Sequence, residues 1–250
     1  MTEPSPTTLA DEFAAALDWW RSAGVDHDFG DDVTEWLAAH EPDEISPQPP
    51  AKLAKNEVAA PPPPKKIGGE KESWPEDLAQ FHNWWVTDSS IDDGGAYPAL
   101  APRGSAGAKL MIVVAEPEEH DSDTLLSGPQ GRLLDGILKA AGFAAEDTYI
   151  AATLRRHTPV PDWAALKAAG LCDLLAHHIA LAAPNRILTF GRNIPPLLGN
   201  DTAQGAAILH NINHDNRSTP VMSVGSLAQL LRSAGRRQRF WQHWLEWTDS

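Results

Sequence analysis

The run Leu110-Met111-Ile112-Val113-Val114 constrains this chain more than any other segment. Five apolar residues without a polar interruption form a strand buried on both faces, so helices must cover both sides of its sheet. The following segments supply them. Residues 131–141 read as a helix with Leu133, Leu134, Ile137 and Leu138 on its apolar face and Gly142 at its end. Residues 149–154 read as a second strand. Residues 162–182 read as one long helix, periodic in Leu166, Leu171, Leu174, Leu175 and Ile179 and stopped by Pro184. Residues 186–190 and 221–224 read as a third and a fourth strand, with a short helix at 194–198 between them. Residues 227–247 read as the closing helical region. This alternation predicts a three-layer α/β/α sandwich around a central, mostly parallel sheet of about four strands. Sites in such folds gather at the carboxyl ends of the strands, here residues 115–123, 155–161, 191–193 and 225–226.

The segments before Leu110 are of a different kind. Residues 9–21 predict a helix, with Leu9, Phe13, Leu17 and Trp20 on one face and Thr8 or Asp11 near its start. A shorter helix is expected at 31–40, carrying Val33, Trp36 and Leu37. Residues 42–66 contain eight prolines, including Pro61-Pro62-Pro63-Pro64, and read as a linker with polyproline II character. A helix at 76–86 and an irregular approach segment at 88–107 follow. The organisation expected is an acidic helical extension at 1–41, a Pro-rich linker at 42–70 and one α/β/α domain at 71–250. Two short helices are too small to hold a core alone. The Trp-rich pair, with Trp19, Trp20 and Trp36, is expected to dock on the rest of the chain or on a protein partner.

Charge bears on partners. The net charge is −14, and 20 of the 34 acidic residues but only 7 of the 20 basic ones lie in residues 1–104. An acidic chain repels phosphate backbones, so only weak binding to DNA is expected. Arg232, Arg236, Arg237 and Arg239 are the one local cluster able to touch phosphate; the same residues also read as a solvated helix face. No apolar run reaches the roughly 18 residues of a membrane span, and Met1-Thr2-Glu3-Pro4 does not open a signal peptide. A cytoplasmic location without membrane contact is expected. The single cysteine, Cys172, excludes an internal disulfide.

The order of segments from Val113 to Trp241 resembles the uracil-DNA glycosylase superfamily, and is most similar to its iron–sulfur-containing branch. The residues carrying the resemblance are Val113-Val114-Ala115-Glu116-Pro117, then Leu125-Leu126-Ser127-Gly128-Pro129-Gln130-Gly131-Arg132-Leu133-Leu134-Asp135, then Tyr149-Ile150-Ala151-Ala152. They continue with Leu188-Thr189-Phe190-Gly191-Arg192, and with Leu230-Leu231-Arg232 followed by Trp241. The resemblance implies hydrolysis of the N-glycosidic bond of a damaged DNA base flipped out of the helix, as in base-excision repair. It also locates departures. Leu126 stands where the family places the ring that stacks the base. Ala152 stands where an Asn reads it. Val224-Gly225-Ser226 stands where a His stabilises the departing anion, and no histidine lies between Asp215 and Gln242. Base-pocket positions are thus Leu126, Ala152, Gly225 and Ser226. Cys172 matches one of four cluster cysteines and Arg156 replaces another, so no iron–sulfur cluster is expected.

Glu116 matches the family's first-motif carboxylate. It reads either as a catalytic group that orients water or supports a sugar cation, or as an exposed loop carboxylate beside Glu118, Glu119 and Asp121. His120 and His157 lie on strand-end loops and are able to act as acid–base groups, although spacing singles out neither. His120 with Asp121 and Asp123 makes no complete metal set. His177 and His178 point about 100° apart on a helix, which suits solvent or capping contacts. His210 and His214 are expected in a loop. Two functions stay open: a glycosylase whose uracil chemistry is weak or lost, and a non-catalytic binding or scaffolding module on the same fold.

Overall fold

A computed structural model describes residues 8–22, 66–199, 207–214 and 217–249. The chain divides into two units, Met1–Ala59 and Ala60–Ser250. In the first, the described residues form helix α1, Leu9–Ser22, with Asp11 and Glu12 in its first turn and Arg21 in its last, the arrangement that complements the helix dipole. Thr8 Oγ1 accepts the Asp11 N–H at 3.3 Å, and the apolar face from Leu9 to Trp20 is exposed. The helix expected at 31–40 and the Pro-rich stretch to residue 65 lie outside the described residues. No helix among the described residues is long and apolar enough to cross a membrane.

The second unit carries a five-stranded sheet in the order β2-β1-β3-β5-β4. Its elements are α2 (Leu78–Thr87), β1 (Leu110–Val114), α3 (Pro129–Ala140), β2 (Thr148–Ala152), α4 (Trp163–Ala168), α5 (Leu171–Ala182), β3 (Ile187–Phe190), β4 (Ala207–His214), β5 (Arg217–Val224), α6 (Leu227–Arg232) and α7 (Ala234–Thr248). Strands β2, β1, β3 and β5 are mutually parallel, and β4 pairs antiparallel with β5 along the edge. The pleat sorts side chains between two cores. Met111, Val113, Tyr149, Ala151, Ile187 and Val221 face Phe81 and Trp85 of α2 and Leu174 and Ile179 of α5. Leu110, Ile112, Val114, Ile150, Leu188 and Met222 face Leu134 of α3, Leu230 of α6 and Trp244 of α7. The uninterrupted apolar run of β1 thus has a helical layer on each side.

Several departures from the sequence reading have local causes. The long helix expected at 162–182 is two helices, because Gly170 has φ +97° and caps α5 from a left-handed conformation that glycine adopts without strain. The apolar stripe continues across the break from Leu166 to Leu171, so periodicity does not report it. The closing helical region is present as two helices that meet at Ser233, whose extended backbone ends α6 and whose hydroxyl accepts the Arg236 N–H of α7. Residues 210–214, read as a loop, lie in strand β4. Half-buried His210 and Ile212 alternate there with exposed Leu209, Asn211 and Asn213, a period of two written with polar residues. Pro220 disguised the first half of β5. It lies beyond the stretch that pairs with β3 and opposite Asn211 of β4. Residues 66–70, read as the end of the linker, pack instead. Ile67 is buried, its N–H donates to the Ala169 carbonyl at 2.8 Å, and the Trp74 indole donates to the Gly68 carbonyl.

Candidate functional site

The carboxyl ends of β1 and β2 meet side by side, because the Thr153 and Leu154 N–H groups continue the ladder onto the Val114 and Ala115 carbonyls. The loop after β1 is held by two buried carboxylates. Asp121 accepts four hydrogen bonds, from the N–H groups of Glu118, Leu126 and Ser127 and from the Ser127 hydroxyl, at 2.7–2.8 Å. Glu118 accepts the N–H groups of Gly128, Gln130 and Gly131 at 3.0–3.1 Å. Its charge therefore rests on the N-terminus of α3, where free donors and the helix dipole favour an anion. Both are buried, while Glu119 and His120 are exposed and Glu116, for which an exposed loop setting is one of two readings, is half-buried. Hydrophilic sequence hid the buried pair because their partners are backbone N–H groups, which sequence does not display.

This lacing fixes the first base-pocket position. Leu126 has φ +57°, and its carbonyl lies so near α3 that a Cβ at Gly131 would fall 1.8 Å from it. Leu126 is 4% exposed and Ala152, at the end of β2, 3%; both belong to the apolar layer that contains Leu134 and Ile150. Gly225 and Ser226 follow β5. The Ser226 hydroxyl accepts the Gln229 N–H and caps α6, and a side chain at Gly225 would meet Gln229 Oε1 at 2.6 Å. Of the arginine cluster, Arg237 donates to the Leu230 and Leu231 carbonyls at the end of α6. Arg236 donates to Gln229, and Arg232 and Arg239 are exposed.

The loop after β2 gathers the remaining charge. Arg155 is 4% exposed and donates to the Asp92 carboxylate. It also donates to the Trp85, Val86 and Asp88 carbonyls, which closes the C-terminus of α2. Arg156 donates to Asp92 at 3.0 Å and to the Tyr97 carbonyl at 2.6 Å. Burial pushes the Asp92 carboxyl up. The Arg155 hydrogen bonds, the Gly94 N–H and the charges of Arg155 and Arg156 outweigh it, leaving Asp92 below the usual carboxylate range. Next along the loop, the Thr158 N–H donates to Glu116 Oε2 at 2.7 Å, and His157 Nδ1 lies 3.5 Å from the same oxygen. The structure therefore brings Glu116 together with His157, while Glu118 and Asp121 bind backbone N–H groups. Asp92 gave no signal in the irregular approach segment, since its role depends on two arginines more than sixty residues away.

Between the approach segment and this loop lies a cavity of about 360 Å³, lined among others by Trp85, Leu154 and Leu166 and by the polar Arg155, Arg156 and His157. A second polar group crosses the core further down β2. The Tyr149 hydroxyl lies 2.7 Å from Nε2 of both His82 and His178. Burial holds His178 down to about 3, with the charges of His82 and His177 adding to the effect, and burial pushes the Tyr149 phenol up. The solvent or capping contact expected for both helix histidines is corrected: half-buried His177 hydrogen-bonds the Pro75 carbonyl in the loop before α2 beside the Trp74 ring, and His178 is 1% exposed. His210 lies on β4 with both ring nitrogens enclosed and without a hydrogen-bond partner among the described residues. No group of three His, Cys, Asp or Glu side chains converges among the described residues. Arg156, at a position matched to a cluster cysteine, is engaged by Asp92, and its guanidinium offers no lone pair to iron. The donor set does not fit a cluster.

Against known proteins, the family model described as the uracil DNA glycosylase superfamily matches residues 101–248, a stretch that runs from before β1 to the end of α7. No curated protein matches the chain.

Proposed function

Given that the chain belongs to the uracil DNA glycosylase superfamily, we propose that it keeps the glycosylase scaffold while uracil excision is weak or lost. The observation that carries this reading is the burial of Leu126 and Ala152 in one apolar layer. The position for a stacking ring has no π face, and the position for a base-reading amide holds only a methyl group. The loop after β5 offers a departing anion Gly225 and Ser226, and the Ser226 hydroxyl already caps α6. Loss of one preorganised donor to a developing anion costs about 3 kcal/mol, or 10²–10³ in rate, and here the base-reading group is missing as well. Glu116 is the surviving carboxylate of the family motif, placed to orient water or to support a sugar cation. Arg156 in its pair with Asp92 leaves the domain without the iron–sulfur cluster of the related branch.

A second reading, a non-catalytic binding module, draws on Glu118 and Asp121, whose hydrogen bonds shape the loop after β1 without any substrate. In both readings DNA binds weakly and through salt-sensitive contacts of Arg232 and Arg239, and the Trp-rich N-terminal segment serves a protein partner. The test is the affinity of the full chain for matched duplexes carrying uracil or thymine, measured by fluorescence anisotropy over a salt series. Equal, weak, salt-dependent affinities are expected. A clear preference for uracil overturns the reading.

A further inference from the structure

We propose that the cavity at the amino end of β2 is a binding site for a nucleoside monophosphate, with Arg103 and Lys139 holding its phosphate. The cavity measures about 550 Å³ and lies between the segment before β1, the second half of α3 and the connection into β2. It is at the opposite end of β2 from Ala152, so the loops that carry Glu116 and His157 take no part in it. The inference goes beyond the proposed function and does not depend on whether uracil is released.

The first observation is an arginine whose backbone is fixed and whose side chain is not. Arg103 exchanges two backbone hydrogen bonds with Ile150 on the outer edge of β2, at 2.9 and 2.7 Å. Gly104 is pressed onto the same strand: it has φ +120°, and a Cβ there would fall 2.5 Å from the Thr148 carbonyl oxygen. The Arg103 side chain is half-buried, and its Nε is enclosed with no hydrogen-bond partner among the described residues. A buried donor without an acceptor calls for an explanation, and a bound ion is one. Since no protein acceptor fixes Nε, the guanidinium is able to turn to an oxyanion that enters the cavity. It then pairs Nε and a terminal nitrogen with that group in the planar, bidentate way. Lys139, in the last turn of α3, is exposed on the same cavity and brings a second positive charge.

The second observation is the make-up of the other walls. One carboxylate, Asp135, joins the two cations, so the charge of the lining is net positive and favours an anion. An ionised carboxylate only accepts hydrogen bonds, so a matching ligand also carries hydroxyl or amino hydrogens. The Thr148 hydroxyl is taken by the Ala145 carbonyl at 2.9 Å. Leu138 and Ile150 are buried at the cavity. Half-buried Phe143 has its plane set by a T-shaped contact with Trp244, with centroids 6.0 Å apart, and adds a flat apolar wall. The volume is far more than a lone phosphate fills and lies within the range of small-molecule pockets. An oxyanion, hydroxyl donors and a flat ring in one small molecule describe a nucleotide. Its phosphate goes to Arg103 and Lys139, its ribose hydroxyls to Asp135 and its base to Phe143.

The experiment titrates the full chain by calorimetry with adenosine 5′-monophosphate, adenosine, inorganic phosphate and a 5′-phosphorylated oligonucleotide. The monophosphate should bind more tightly than either of its fragments, and its affinity should fall as salt rises while that of adenosine stays level. Arg103→Gln should weaken the monophosphate on the order of 10–10²-fold, the loss of a charge-assisted pair. Lys139→Gln should weaken it less, as an exposed point charge, and neither variant should change the affinity for adenosine. Because the Arg103 Nε has no partner in the fold, Arg103→Gln should leave the thermal midpoint unchanged. A lowered midpoint with full affinity would show a structural arginine and overturn the proposal. So would no binding of the monophosphate, equal affinity for phosphate alone, or unchanged affinity in Arg103→Gln. Tighter binding of the oligonucleotide than of the monophosphate would assign the site to DNA ends and overturn the choice of a free nucleotide.

Discussion

Replacing Asp121 by Ala should destabilise the domain by about 3–5 kcal/mol, a large share of the stability of a typical domain. Its carboxylate accepts three backbone N–H groups and one hydroxyl, and the residue is 4% exposed. Truncation leaves those donors facing an empty site. An unpaired buried donor costs about 1–3 kcal/mol. The sum is moderated because Ser127 is exposed and water can reach its N–H and hydroxyl. The Glu118 and Leu126 N–H groups are the enclosed pair, and they set the lower end of the range. For a domain of this size, each kcal/mol moves the midpoint by about 2–4 °C, so a fall of about 6–20 °C is expected by calorimetry. Asp123→Ala, at an exposed neighbour, is the control and should change stability by less than about 0.5 kcal/mol. A loss below about 1 kcal/mol in Asp121→Ala would refute the claim that this carboxylate holds the loop.

Gly131→Ala should cost about 3 kcal/mol or more, since its Cβ would lie 1.8 Å from the backbone oxygen of Leu126 and neither segment can yield cheaply. Gly136→Ala on the same helix, with nothing within 4 Å, should instead stabilise by up to about 1 kcal/mol; denaturant melts compare the two, and equal effects would contradict the packing. His178 sits near 3 in the fold and near 6.5 when unfolded, so the unfolded chain binds the extra proton between those values. Its contribution to stability is complete above about pH 6.5 and declines as pH falls toward 3, by up to about 1.4 kcal/mol per pH unit. His178→Gln should make that decline shallower in a pH series of urea melts, and an unchanged slope would count against a buried neutral imidazole. Iron and acid-labile sulfide assays on freshly purified protein should give substoichiometric values, and stoichiometric iron with a visible absorbance band would contradict the Arg156–Asp92 account.

The layered fold was legible because its strands are written in apolar residues at the right lengths. Leu110–Val114 demands two covering layers, and both cores form around it. Strand β4 was not legible, because its half-buried positions include His210 and its exposed ones include Leu209, which inverts the usual contrast. The break at Gly170 was hidden by an apolar stripe that runs through it. Two positions fall where the strand pattern puts them: Glu116 just after β1 and Ala152 at the end of β2. Groups whose roles depend on distant partners could not be placed this way. Asp92 meets Arg155 and Arg156 across more than sixty residues, Tyr149 meets His82 and His178 across two elements, and the binding of Glu118 and Asp121 to backbone leaves no mark in residue type.

The central claim is that the positions which would stack, read and release uracil are filled or empty of the needed chemistry. Single-turnover measurement with the full chain in large excess over a uracil-containing strand, single- or double-stranded, tests it most directly. The account predicts a rate of abasic-site formation indistinguishable from that of the strand without protein over hours. Uracil release above that background, abolished by Glu116→Ala, would contradict it and would show that the closed layer around Leu126 and Ala152 opens to admit the base.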